Sequence, residues 1–384
     1  MTTSPSTRIA IVAGEASGDA LAAGLIRELL ELLPGANFEG IAGPKMRALG
    51  CQSVYPMERL SVMGLFEAVG RYPELIPVRR RLIDQYTNQP PAVFIGVDAP
   101  DFNIQLEMKL HAAGIPTVHY VSPSLWAWRR YRIKKVRKAV DKMLVLFPFE
   151  KEFYRSQGVD AEFVGHPAAD QLKPQDPVKA RRDLNIPANA TVVALLPGSR
   201  TSEVKYLAKV MVRAGQWLSG RIRNPKFVVP LVNPEVREYF EQALAGVSNS
   251  SCFMLLKGQS HQAISAAHAV LLASGTATLE TMLLNRPMVI TYMGHPVSWE
   301  IASRMINVNH VGLPNLLAGQ RLAPELLQYE ATPQALGAEV LALLESAQAR
   351  QRQTNAYTAI SETLRVSADV NAARAVFDIL EQNK

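Results

Sequence analysis

Short runs of apolar, mostly β-branched residues alternate along this chain with longer segments whose apolar positions recur at helical spacing. Arg8–Ala13 (RIAIVA) leads into the turn Gly14-Glu15-Ala16-Ser17-Gly18-Asp19 and an amphipathic segment through Leu33. Val93–Val97 ends at Asp98-Ala99-Pro100-Asp101, and further strands are expected at Ile115–Val121, Met143–Leu146 and Glu162–Val164. Strand-length apolar runs separated by helix-length segments predict βαβ units, hence a parallel sheet with helices on both faces.

The pattern restarts after the polar, proline-containing stretch Pro167–Asp176. Thr191–Leu196 (TVVALL) runs into Pro197-Gly198-Ser199-Arg200, and Lys226–Leu231, Ser251–Leu255, Ala269–Leu272 and Pro287–Tyr292 follow. Two such series predict an α/β protein of two Rossmann-like domains facing across a cleft. The expected boundaries are 1–170, 171–355, and a C-terminal helix over 356–384 that packs back on the first domain. Open parallel sheets bind ligands at the carboxyl ends of their strands, so chemistry is expected in the loops 14–19, 98–103, 197–200 and 274–278.

With 48% hydrophobic and 20% charged residues among 384, each half can bury a core, which excludes wholesale disorder. Cys51 and Cys252 have no metal-ligand spacing, which argues against a disulfide scaffold or zinc site and fits a reducing compartment. The N-terminal residues show no secretory signal pattern. The uncharged stretches His111–Trp128 and Gly258–Leu279 are too broken by polar residues and Pro to span a bilayer.

The chain carries 41 Lys+Arg against 34 Asp+Glu, a net +7, and the excess is concentrated in Trp126–Lys142 (WAWRRYRIKKVRKAVDK) and Arg79–Arg81. Such runs suit the phosphates of nucleic acid, a lipid headgroup or an anionic membrane; a solvated helix face is the plainer alternative. Upstream, Leu60–Val69, which contains Met63 and Phe66, is unusually apolar. Flanked by the arginines, it reads as an interfacial helix, the mouth of an acyl-chain pocket, or ordinary core.

Three of the loops join strand to helix through Gly and Ser or Thr. The free N–H groups and positive dipole end of such a turn suit phosphate, although Ser or Thr there is also an ordinary N-cap. Gly198-Ser199-Arg200 adds a guanidinium, and Ser274-Gly275-Thr276-Ala277-Thr278 adds hydroxyls, a pair able to hold a diphosphate. Glu280, early on the helix after Ser274, is within reach of ribose hydroxyls. No loop has the P-loop or GxGxxG form, so ATP hydrolysis and NAD binding lose ground. Asp98, Glu15 and Asp19 gather acid at one sheet edge, where one of them can serve as a general base, and sequence leaves the choice open. The seven histidines form no metal-binding pair.

IVAGEASGD, FIGVDAPDFN, HYVSPSLWAWR, LFPFE, FVGHP, LPGSR, SGTATLE and GLPNLLAG, in this order, resemble the lipid-A-disaccharide synthases of Gram-negative bacteria over essentially the whole chain. The resemblance implies a GT-B glycosyltransferase, inverting and without metal or cofactor. Its substrates would be UDP-2,3-diacylglucosamine and lipid X, its products a β-1′,6-linked disaccharide 1-phosphate and UDP. It further implies a cytoplasmic enzyme on the inner face of the inner membrane, and a homodimer is left open. Carried onto this chain, Asp98 is the candidate base, with Glu15 as runner-up or acceptor-positioning partner. Gly198, Ser199, Arg200, Ser274, Gly275, Thr276 and Thr278 would hold UDP, Glu280 its ribose, and Asn315 would lie near nucleotide or sugar. Ser17, Gly18, Met63 and Phe66 would meet the acceptor and its acyl chains. The rivals are a UDP-N-acetylglucosamine 2-epimerase, which needs no lipid-facing surface, and a nucleic-acid-binding protein using the basic aromatic run, which leaves the four loops unexplained.

Overall fold

A computed structural model describes residues 7–60, 65–305 and 308–383, with side chains left out at 65–73, 297–298 and 301–302. The chain divides into two compact units, one of residues 1–170 with 364–384 and the other of 171–363.

The strands of the first unit are β1 Arg8–Ala13, β2 Asn37–Ile41, β3 Gln52–Ser53, β4 Val93–Val97, β5 Thr117–Tyr120, β6 Lys142–Val145 and β7 Ala161–Phe163. They form one sheet in the order β3-β2-β1-β4-β5-β6-β7, parallel throughout. β1 and β4 are unbroken apolar runs because both sheet faces are covered, and Ile9–Ala13 and Val93–Val97 are buried throughout. Strand order reverses between β1 and β4, where Ala13 pairs with Val97, so the first Gly loop and Asp98 leave the sheet side by side.

The strands of the second unit are β8 Thr191–Leu196, β9 Pro225–Leu231, β10 Phe253–Lys257, β11 Ala269–Ala273, β12 Met288–Tyr292 and β13 Glu325–Leu327. Their order is β10-β9-β8-β11-β12-β13, again all parallel. Here the reversal falls between β8 and β11, with Leu196 opposite Leu272, so the 197–200 and 274–278 loops emerge together. In open α/β sheets these reversal points are where ligands bind.

Three expectations change. Residues 356–382 fall in two helices, Ala347–Leu364 and Ala368–Gln382, and the second unit extends to residue 363. The break contains no Gly or Pro; Ser367 turns at φ +62°, while Asp170 accepts from the N–H groups of Ser367 (3.1 Å) and Ala368 (2.7 Å). The last helix buries Ala372, Val376 and Ile379 in the core of the first unit, and Gly24 in the helix Ala16–Leu32 leaves room for Asp369. Next, Trp126–Lys142 is not one solvated helix. It holds a 3-10 turn at Arg130–Arg132, one helical turn at Ile133–Val136, and the first residue of β6. Finally, several of its cations are engaged: Arg132 pairs with Asp101 (2.5 Å), Lys142 with Asp160 and Glu162 (3.3 and 3.4 Å), and Arg129 stacks on Trp128. Arg130, Lys134, Lys135, Arg137 and Lys138 remain exposed.

Candidate functional site

The reversal point of the second unit opens on a cavity of about 400 Å³. Gly198, Ser199 and Arg200 after β8, Ser274, Gly275, Thr276 and Ala277 after β11, and Glu280 all line it, together with Glu203, Pro230, Val232, Gly258 and Ser260. Two helices, Thr201–Ser219 and Thr276–Leu283, begin at its wall, with Arg200 and Gly275 as N-caps and no side-chain cap on either. Uncapped N–H groups and two positive dipole ends around one cavity favour an anion. Gly275 sits at φ +149°, a conformation that favours glycine, and a Cβ there would meet nothing within 4 Å; only its backbone shape demands the residue. Gly198, at φ +111°, is also packed: a Cβ would lie 2.6 Å from Glu203 Oε2.

The side chains are open to ligand. Arg200 is mostly exposed, 3.5 Å from Glu203. Glu280 faces His261 Nε2 at 3.5 Å, and that contact raises the histidine pKa, against the opposing effect of burial.

Two residues assigned to this site do not line it. Thr278 is fully buried and donates its hydroxyl to Gly275 O at 2.7 Å, tying down the first turn of its helix. Asn315 is fully buried with its amide spent: it donates to Ala323 O and Glu325 Oε1 and accepts from the N–H groups of Leu322 and Ala323, each at 2.8 Å. It acts as a latch for the chain behind Gly312, while the neighbouring Val311 carbonyl accepts from Ser274 Oγ at 3.1 Å.

At the reversal point of the first unit, a Cβ on Gly14 would lie 2.4 Å from Ala99 Cβ, and one on Gly18 would lie 3.8 Å from Asp98 Cβ. Asp98 and Ala99 both have positive φ, at 53° and 43°, a shape that costs about 1–3 kcal/mol per non-glycine residue. Asp98 is half-buried, and its carboxylate makes no hydrogen bond or ion pair among the described residues. Asp19 is already committed: it is buried and its two oxygens accept from the N–H groups of Lys45 (2.9 Å) and Met46 (3.0 Å), capping the short helix Pro44–Ala48. Glu15 is the half-buried N-cap residue of the helix Ala16–Leu32, and Ser17 is exposed on its first turn. Met63 lies outside the described residues, and Phe66 falls on the helix Leu65–Asn88 where side chains are not described.

Sequence reasoning overlooked the buried polar residues of this unit. Glu150 is buried and accepts from Ser122 Oγ (2.8 Å), Trp126 Nε1 (3.0 Å) and the Phe147 N–H (3.1 Å), so it pins the loop after β5, where Val121 has φ +76°. Burial pushes its carboxyl up to about 7 despite those three donors. Glu107 and His119 form a fully buried pair at 2.6 Å, and burial likewise raises the Glu107 carboxyl.

Two parallel-sheet α/β units, one opening on an anion-favouring cavity at its strand reversal, define a glycosyltransferase-type fold of the GT-B class. The calicheamicin glycosyltransferase CalG4 superposes with TM-score 0.62 at 15% identity, covering 99% of each chain. A UDP-GlcNAc 2-epimerase from Neisseria meningitidis, solved bound to UDP-GlcNAc, gives TM-score 0.61 at 14% identity over 98% of this chain and 100% of that one. At such identities the likeness concerns the fold alone. Sequence is more specific: residues 9–378 match the lipid-A-disaccharide synthetase family. The lipid-A-disaccharide synthase of Azotobacter vinelandii (strain DJ) is 48% identical over 377 residues, 98% of both chains, and that of Pseudomonas aeruginosa (strain UCBPP-PA14) 47% over 376, also 98% of both. The chain belongs to the lipid-A-disaccharide synthase family of glycosyltransferases, which sets the epimerase and nucleic-acid readings aside.

Proposed function

We propose that this chain transfers 2,3-diacylglucosamine from UDP to the 6-hydroxyl of lipid X, with inversion and without a metal, releasing UDP and the β-1′,6-linked disaccharide 1-phosphate. The family match over residues 9–378 carries the reading. In the second unit, the backbone at Gly198–Ser199 and Ser274–Thr276, with Arg200, holds the diphosphate, and Glu280 accepts from the ribose hydroxyls. Charge grows on UDP as the anomeric bond breaks. Arg200 and the two helix N-termini stabilise it, an effect worth about 3–4 kcal/mol per well-placed donor. In the first unit, Asp98 takes the proton of the attacking hydroxyl. Its carboxylate, unbonded among the described residues, against the fully used one of Asp19, supports this choice, and Glu15 with Ser17 and Gly18 positions the acceptor. Met63 and Phe66 remain assigned to the acyl chains.

An anionic membrane surface is the proposed partner of Arg80, Arg81, Arg130, Lys134, Lys135, Arg137 and Lys138, all exposed. Each contributes about 1 kcal/mol near such a surface. Among the described residues no helix is long and apolar enough to cross a membrane. Attachment at the cytoplasmic face of the inner membrane is therefore proposed to be peripheral. Sedimentation with anionic vesicles should fall as salt rises; equal sedimentation with neutral vesicles contradicts it.

Purified protein incubated with UDP-2,3-diacylglucosamine and lipid X should yield UDP and disaccharide by mass spectrometry, with or without EDTA. No product in either condition overturns the activity, and product lost only with EDTA overturns its metal independence.

A further inference from the structure

Asn103 lies in the first turns of the helix Pro100–Ala112, where an Asn normally faces solvent or caps. Here it is fully buried with its side chain turned under the sheet edge. Nδ2 donates to the carbonyl of Asp98 at 2.8 Å and approaches those of Val12 (3.3 Å) and Val97 (3.4 Å). One amide thus gathers the ends of β1 and β4 and the backbone of Asp98. Oδ1 has no partner among the described residues, so the arrangement does not maximise hydrogen bonding at this position. An apolar side chain would avoid that orphaned atom, and polar choices that break a local rule are expected where function depends on them.

The surroundings are shaped to admit the amide. A Cβ on Gly96 would fall 3.1 Å from Asn103 Cγ and 2.0 Å from Glu107 Oε1, so this glycine makes room for both polar side chains. The helix itself begins on the strained residue, with the N–H groups of Phe102 and Asn103 donating to Ala99 O, both at 3.0 Å. The Asp98 N–H donates to Tyr120 O at 2.8 Å. The backbone of Asp98 is therefore held on one side by β5 and on the other by Asn103, while its carboxylate makes no bond among the described residues.

We propose that Asn103 is a positioning residue that holds the Asp98–Ala99 turn in its left-handed conformation and so aims the Asp98 carboxylate at the acceptor hydroxyl. This rests on Asp98 as the base. The test compares Asn103→Ala and Asn103→Ser in the wild-type and Asp98→Asn backgrounds, reading kcat, KM for each substrate and the thermal midpoint. Expected in the wild-type background is a drop in kcat of at least about 10-fold for Asn103→Ala at unchanged KM for the UDP-sugar, with partial recovery in Asn103→Ser, which keeps a donor. On the residual rate of Asp98→Asn, Asn103→Ala should have less than about a 2-fold effect, although the thermal midpoint falls equally in both backgrounds. Equal fold-losses in the two backgrounds, or unaltered kcat, overturn the positioning role while leaving Asp98 as base. Near-normal turnover by Asp98→Asn overturns both. If Asn103→Ala does not fold, Asn103→Ser alone decides by the same criterion of background dependence.

Discussion

The two strand-reversal points share a topology and differ in what their polar groups are doing. In the second unit, the loops after β8 and β11 leave backbone N–H groups, Arg200 and Glu280 open to a cavity, and glycine conformation shapes the wall. In the first, Asp19, Asn103, Glu107 and His119 are buried in internal bonds, and Asp98 is held on a strained backbone with its carboxylate unbonded among the described residues. On the proposed reading, one site receives charge and the other aims a single group. Binding of a diphosphate tolerates small displacements because several donors share it, whereas proton abstraction depends on one atom's position.

The largest expected effect is on the aimed group. Asp98→Asn should lower kcat by about 10²–10⁴-fold while leaving UDP affinity intact. Arg200→Ala should cost about 10²–10³-fold in kcat and weaken UDP as well, which steady-state kinetics and UDP titration together resolve. The buried carboxyl that pins the loop after β5 gives a pH signature. Glu150 has a folded pKa of about 7 against an ordinary 4.5, so its contribution to stability is fully present below about pH 4.5 and is lost as pH rises through 7, on the order of 3 kcal/mol in all. Glu150→Gln should flatten that decline in unfolding scans between pH 5 and 7.5; an unchanged slope would assign the pH dependence to other groups. The smallest effects sharpen the contrast between the glycines. Gly275→Ala should cost about 1–3 kcal/mol through backbone strain and show up in UDP affinity. Gly14→Ala should cost about 1–3 kcal/mol through its collision with Ala99 and show up in kcat instead.

Much of this was readable in the chain. RIAIVA, VFIGV, TVVALL and AVLLA are uninterrupted because strands covered on both faces need no polar alternation, and the loops that follow them proved to be the two reversal points. The strand next to the sheet edge was harder. β2 (NFEGI) carries Glu39 and a Gly40 whose absent Cβ lets the chain pass Ile11 O, so its apolar signal is diluted. The helix break at 365–367 is made by tertiary bonds to Asp170, without a breaker residue. Residue type announced polar chemistry at Thr278 and Asn315 but not direction: both turn inward and bond to the backbone. The same blindness hid Asn103 and Glu150, whose importance lies in the groups they reach across the fold.

The division of labour between the two loops is tested most directly by calorimetric titration of UDP into the wild type, Asp98→Asn and Arg200→Ala. The account predicts equal affinity for wild type and Asp98→Asn and at least about 10-fold weaker binding for Arg200→Ala, the scale of a lost charge-assisted contact. Full affinity in Arg200→Ala together with a loss in Asp98→Asn would contradict it.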